Sequence, residues 1–228
     1  MSSPGKVFIT GANRGIGLEF VKYYLNKGFT VYGSSRSPLN DCPELLSTDR
    51  HISLDTSSEE SIATLATQFK KLNVSNLDIL INNAGILIRD NVKDNNIRAG
   101  ATQQFIVNTL GPISTTLALL ELLNPGSKVI NITSAMGSIA DNSSGSYYGY
   151  RMSKAALNMA VKGLSIDLKD TGVLILGLHP GYIKTDMTNG NGDMGPDESV
   201  ARMAKVIDKL DATMNGAFYH RDGHQLAY

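Results

Sequence analysis

Apolar residues run along this chain in two alternating rhythms. Short stretches rich in β-branched residues are KVFIT (6–10), TVYGS (30–34), HISL (51–54), LDILI (77–81), KVINIT (128–133), VLILGL (173–178) and GAFYH (216–220). Longer segments with helical spacing separate them, among them IGLEFVKYYLNKG, SEESIATLATQFKKL and AALNMAVKGLSIDLKD. Several short stretches are apolar throughout instead of alternating, the pattern of strands covered on both faces of a parallel sheet. The longer segments each carry one apolar stripe, as helices on such a sheet do. Strand and helix alternating this regularly predict an α/β fold: one doubly wound parallel sheet of about seven strands with helices on both faces.

The length of 228 residues suits a single domain spanning 1–228. No repeat or low-complexity block divides it. The segment TNGNGDMGPDES (188–199) is rich in glycine, asparagine and aspartate, and reads as a loop near a ligand site rather than as a linker. Lysine and arginine total 21, aspartate and glutamate 21, so charge gives no reason to expect nucleic acid or an anionic membrane as partner. The one cysteine, Cys42, excludes an internal disulfide framework and reads as an inert loop thiol. No apolar run is long enough to span a bilayer, so the expected setting is soluble and cytoplasmic. The four histidines, His51, His179, His220 and His224, fall on different elements without ligand spacing, and no metal is expected.

KVFIT runs directly into GANRGIG and then into a helix beginning near Ile16. A sharp strand-to-helix turn that lets backbone N–H groups approach a pyrophosphate needs glycine, here Gly11, Gly15 and Gly17, with Asn13, Arg14 and Ile16 beside them. The spacing is G-x-x-x-G-x-G, not G-x-G-x-x-G. At the end of the second strand, where an acidic residue would bind a ribose 2′-hydroxyl, the sequence has Ser34, Ser35 and Arg36. Arg14 and Arg36 suit a 2′-phosphate, so NADP is expected over NAD. Asp55, at the end of the third strand, is placed either to accept a hydrogen bond from the adenine amino group or to cap the following helix; Ser57 is the other capping candidate.

In SYYGYRMSK (146–154), Tyr150 and Lys154 lie four apart, on one face of a helix. A nearby ammonium lowers a phenol pKa from about 10, which fits a tyrosine for proton transfer to a carbonyl accepting hydride. Tyr147 has Arg151 at the same spacing, so spacing alone does not choose between them. KVINIT leads into Ser134 at the carboxyl end of a central strand, where open α/β sheets bind their ligands.

Taken in order, Thr10-Gly-x-x-x-Gly-Ile-Gly17, Asn82-Asn-Ala-Gly85, Asn108, Ser134, Tyr150-x-x-x-Lys154 and Pro180-Gly181 resemble the classical short-chain dehydrogenases/reductases over essentially the whole chain. The resemblance implies a Rossmann-type sheet, a hydride-transfer enzyme using NADPH, and a small-molecule ketone or aldehyde substrate. It makes Tyr150 the acid/base. Lys154 would bind the nicotinamide ribose and lower the tyrosine pKa, Ser134 would orient the carbonyl, and Asn108 would hold a water in a proton relay. It turns Asn82 to Gly85, including Asn83 and Ala84, into a structural and cofactor-facing turn. Pro180, Gly181, Ile183 and Thr185 would line the nicotinamide side. Gly111 and Pro112 would loosen the helix at Asn108.

YRMSKAALN, HPGYIKTDM and GAFYHRDG are most similar to the carbonyl-reductase-like subgroup that includes the Sniffer and C-factor proteins. Ile139, Tyr148, Tyr182 and Met187 are candidates for an apolar substrate wall. Small residues at Ala156, Ala160 and Gly163 suit a homodimer or homotetramer contact. Two other classes compete: an NADP-binding regulatory protein with little turnover, and a methyltransferase with a similar glycine turn. The second leaves the serine, tyrosine and lysine unexplained.

Overall fold

The computed structural model describes residues 4–36, 45 and 49–228; Cys42 lies outside them. Its strands are β1 (Lys6–Thr10), β2 (Thr30–Ser35), β3 (His51–Ser53), β4 (Leu77–Asn82), β5 (Leu123–Ile132), β6 (Leu174–His179) and β7 (Phe218–His220). They form one sheet in the order β3-β2-β1-β4-β5-β6-β7, every neighbouring pair parallel. The chain winds outward from β1 to β3, then returns to β4 on the other side of β1. The carboxyl ends of β1 and β4 therefore flank the point where winding reverses.

The helices are α1 (Gly15–Asn26), α2 (Glu59–Ala63), α3 (Leu65–Lys71), α4 (Ile97–Phe105), α5 (Gly111–Ala118), α6 (Tyr148–Asp167) and α7 (Pro196–Lys209). Each central strand feeds two cores because successive side chains point to opposite faces. Val7 and Ile9 of β1 pack with Phe20 and Val21 of α1 and Met203 and Ile207 of α7, while Phe8 packs with Leu65 and Phe69 of α3 and Val161 of α6. That two-sided burial is why these strands read as continuous apolar runs.

Boundaries differ from the sequence pattern where backbone detail intervenes. β5 starts at Leu123, well before Lys128, and its pairing with β4 shifts register between Leu77 and Ile79. Asn124-Pro125-Gly126, residue types that favour turns, here make an irregular strand start, with Gly126 at φ 91° and donating to the Gly172 carbonyl at 2.9 Å. The expected single helix over SEESIATLATQFKKL is two, joined at Thr64. Its cap is neither Asp55 nor Ser57 but Ser58, whose hydroxyl accepts from Ser61 N–H at 3.1 Å.

The glycine turn is tight enough to exclude side chains. A Cβ on Gly17 would lie 2.1 Å from the Gly11 carbonyl oxygen and 2.5 Å from Asn83 Nδ2. Gly17→Ala is expected to destabilise the fold by about 2–3 kcal/mol, read as a lowered urea midpoint with unchanged slope.

Candidate active site

An open cleft of about 1070 Å³ runs across the carboxyl ends of the strands. Its floor is the glycine turn. Thr10 ends β1 with its hydroxyl accepting from Asn83 and Ala84 N–H, both at 3.0 Å, and Asn83 Nδ2 returns bonds to the Thr10 and Gly11 carbonyls at 3.0 and 3.1 Å. Gly11 and Gly15 have φ of 64° and 53°, left-handed backbone that favours glycine. Gly11, Asn13, Arg14, Gly15, Ile16, Ser35, Arg36, Asp55, Asn83, Ala84, Gly85, Tyr150, Lys154, Pro180 and Thr185 all line the cleft. The donor-lined turn, the exposed arginine after β2 and the volume of the cleft fit a phosphorylated dinucleotide.

Gly17, Gly181 and Ile183 are not part of the cleft wall. Gly17 is the close-packing position just described. Gly181, at φ 90°, lies against the Arg221 guanidinium, where a Cβ would overlap Nη1. Ile183 is buried and bridges to Met194. In this structure each of the three is placed by packing against the protein itself. Asp55 lines the cleft while its Oδ1 accepts from Ser57 N–H and hydroxyl at 2.9 and 2.6 Å. Those bonds to Ser57 hold its carboxyl below the usual range.

The start of α6 separates the two tyrosines that spacing leaves open. Tyr147 precedes the helix with left-handed backbone, φ 53°, and Arg151 turns away to the Gly145 and Ser146 carbonyls and the Ser144 hydroxyl. Tyr150 and Lys154 occupy the first two turns, both buried, with the Lys154 Nζ 5.8 Å from the Tyr150 ring centre. Lys154 donates to the Ile132 carbonyl at 2.8 Å, tying the helix to the end of β5.

The expected lowering of the phenol by Lys154 is not what the protein alone produces. Burial pushes Tyr150 up to about 12, and its hydrogen bond with Ser134 only partly offsets this. Burial also brings Lys154 down to about 8, which weakens the cation that was to do the lowering. Ser134 itself sits behind the cleft wall, its hydroxyl accepting from Met136 N–H at 3.1 Å. Behind it, Thr133 donates to Asn158 of α6 at 2.7 Å, fixing the loop to the helix that carries Tyr150.

Asn108 is fully buried, in a π-helical turn (Ile106–Leu110) between α4 and α5. Gly111 N–H reaches back five residues to the Ile106 carbonyl, and Pro112 has no N–H to offer the Asn108 carbonyl. The side chain is fully committed: Oδ1 accepts from Ile86 N–H at 2.8 Å, and Nδ2 donates to the Ile86 carbonyl and Ser153 hydroxyl at 2.9 and 3.0 Å.

Sequence reasoning missed the latch on the far side of the cleft. Asp186 follows Thr185 and pairs with Arg14 at 3.0 Å, so that arginine is shared between the cleft and the loop. Buried Arg221 donates to the Pro180 carbonyl at 2.8 Å and to Asp193 at 2.7 Å. Residues 188–195 thus form a docked loop rather than a free one, and 196–199 are the first turn of α7. The histidines fall on different elements, but three of them meet in space. His179 and His220 are register partners at the ends of β6 and β7, and their rings, with His224, lie 5.3 and 4.7 Å apart in sequence of contact. Strand pairing makes this neighbourhood; linear spacing does not reveal it. The His220 and His224 planes are stacked, and among the described residues no group is suited to hold a metal.

A model of the family described as short chain dehydrogenase matches residues 5–195. A 1-hydroxy-2-glutathionyl-2-methyl-3-butene dehydrogenase of Rhodococcus sp. (strain AD45) is 34% identical over 223 residues, 95% of this chain and 96% of its own. The C-signal protein of Myxococcus xanthus is 40% identical over 154 residues, 67% of this chain and 93% of its own. Among solved structures, an NADPH-bound carbonyl reductase from chicken fatty liver superposes with a TM-score of 0.89 at 32% identity, both chains covered completely. The carbonyl reductase Sniffer of D. melanogaster gives 0.88 at 29%, again over both whole chains.

The histidine cluster makes a stability prediction. Burial, with the neighbouring His220 and Arg221, lowers His179 to about 3. Unfolded, the same group titrates near about 6.5, so between these values the unfolded chain holds the extra proton and stability rises with pH. The urea midpoint is expected to fall progressively as pH drops from 6.5 toward 3, and to fall less steeply in His179→Gln.

Proposed function

Since the chain belongs to the short-chain dehydrogenase family, we propose that it uses NADPH to reduce ketone or aldehyde carbonyls, reversibly oxidising alcohols, with Tyr150 as general acid and base. One observation carries this reading: Tyr150, Lys154 and the Ser134 hydroxyl converge beside a cleft whose other end carries the glycine turn and Arg36. NADPH supplies the hydride when bound. Gly11 to Gly15 would hold its pyrophosphate, Arg36 and Arg14 its 2′-phosphate, Asp55 its adenine, and Lys154 its nicotinamide ribose. The absence of a carboxylate at Ser34-Ser35-Arg36, and the NADPH bound to the chicken carbonyl reductase, both support NADP over NAD.

A phenol raised to about 12 keeps its proton at neutral pH and is ready to donate to a carbonyl oxygen that gains charge. Ser134 accepts and donates at the same place and orients that oxygen. The phenolate left behind faces the Lys154 ammonium, which limits the cost of charge in a buried site. The Asn108 carbonyl, left without a helical donor by Pro112, suits a water that returns a proton toward Lys154. Ile139 and Tyr182 are 81% and 57% exposed and, with Met187 on the cleft wall, support an apolar substrate.

Exposed Met152, Met159 and Ile166 on α6 support assembly through that helix. A homodimer or homotetramer is expected by light scattering. For the reaction, NADPH oxidation at 340 nm over a panel of aldehydes, quinones and ketones is expected to exceed NADH oxidation. Tyr150→Phe is expected to lose about 10²–10⁴-fold, and Arg36→Ala to weaken NADPH binding about tenfold while sparing NADH. Tight NADPH binding without turnover on any carbonyl would favour a regulatory, NADP-sensing role.

A further inference from the structure

Asp90 lies on the segment between β4 and α4, far in sequence from the catalytic helix, yet it is buried against that helix's first residues. Its backbone carbonyl accepts from Tyr147 N–H at 2.8 Å. Its two carboxylate oxygens accept from the N–H groups of Tyr148 and Gly149, the latter at 3.0 Å. Three consecutive N–H groups immediately before Tyr150 are thus held by one residue. No cation pairs with Asp90 among the described residues, so the positive end of α6 is what compensates its charge.

The start of α6 needs such a hold. Ser146 and Tyr147 both have left-handed backbone, φ 54° and 53°, a conformation that non-glycine residues keep only when surroundings enforce it. Gly149 is pressed against α4: a Cβ there would lie 2.8 Å from Ala101 Cα and 2.5 Å from Gln104 Nε2. The first turn is therefore clamped between α4 and Asp90, with Tyr150 as the next residue.

We infer that Asp90 is a positioning residue for catalysis: it fixes the first turn of α6 and, by placing a negative charge at that helix end, keeps the proton on Tyr150. This rests on the reading of Tyr150 as the general acid. The other groups near the phenol are the Ser134 hydroxyl and Lys154. Arg151 is held by the 144–146 turn, and Arg89 and Asp94 sit beside Asp90 around a surface recess of about 310 Å³. Removing the carboxylate charge leaves the positive helix end facing Tyr150 uncompensated and favours phenolate.

Asp90→Asn keeps the shape and one acceptor while removing the charge. Its pH profile for kcat/KM, with a carbonyl that the wild type turns over, is expected to have the limb assigned to Tyr150 moved about half a unit or more toward lower pH. kcat is expected to fall about tenfold with the carbonyl KM within about twofold, corrected for folded fraction by urea titration. Asp90→Ala, which removes both acceptors, is expected to lose more stability without a larger limb shift. A limb at the wild-type pH in Asp90→Asn overturns the proposal alone, whatever happens to stability. A wild type inert toward every carbonyl overturns the general-acid reading and this proposal with it.

Discussion

Everything at the cleft depends on how two parallel strand ends are held open without coming apart. β1 and β4 are neighbours, but their chains leave in opposite directions, one into the glycine turn and α1, the other toward Asp90. Asn83 and Thr10 bridge them with four hydrogen bonds, so the backbone groups freed at the switch point are satisfied by side chains rather than by continued pairing. Gly17 allows α1 to close against the same carbonyl that Asn83 grips. A larger residue at either place would push the turn into the space proposed for a pyrophosphate.

The proposed chemistry sits at a second join, between β5 and α6. Lys154 reaches the last carbonyl of β5, Thr133 bonds Asn158, and Ser134 meets Tyr150, so strand end and helix are registered by polar contacts between buried side chains. Burial has opposite consequences for the two titratable groups. It keeps the phenol neutral and makes the ammonium easier to deprotonate, which drives apart two proton affinities that are nearly equal in water. The protein alone therefore holds the proton on the phenol, and a proton leaving Tyr150 needs charge supplied from outside the pair to stabilise the phenolate.

The sheet and most of its strand positions were legible because each leaves a local mark, whereas the grouping of Tyr150 with Lys154, Ser134 and Asn108 came from resemblance to a family, since spacing alone left Tyr147 open. Strands covered on both faces are apolar throughout, the glycine turn has a fixed relation to β1, and Tyr150 and Lys154 share a helical spacing. The irregular start of β5 was hidden because Asn124-Pro125-Gly126 obeys turn chemistry even inside a sheet. Asp90, Arg221 and the His179–His220–His224 cluster were illegible for a different reason: each contact joins segments distant in sequence, and an acidic or basic residue in a loop carries no sign of the backbone it will meet. The proton affinity of Tyr150 was misjudged because a pairwise view of lysine and tyrosine leaves out burial, which acts on both.

The polar residues of the site divide by what would happen to the fold without them. Asn108 and Asn83 spend their side chains on backbone groups of Ile86, Thr10 and Gly11, and so build the walls. Tyr150 and Lys154 spend almost nothing on the fold: a lone carbonyl for the lysine and a serine for the phenol. Burying them so sparsely bonded costs stability that a leucine in either place would not. That cost is concentrated on one helical face, and the rest of α6 offsets it by packing Leu157 and Val161 into the sheet and by a clamped first turn. Rigidity elsewhere in the helix is the condition for leaving two reactive groups under-satisfied at the point where a substrate would complete them.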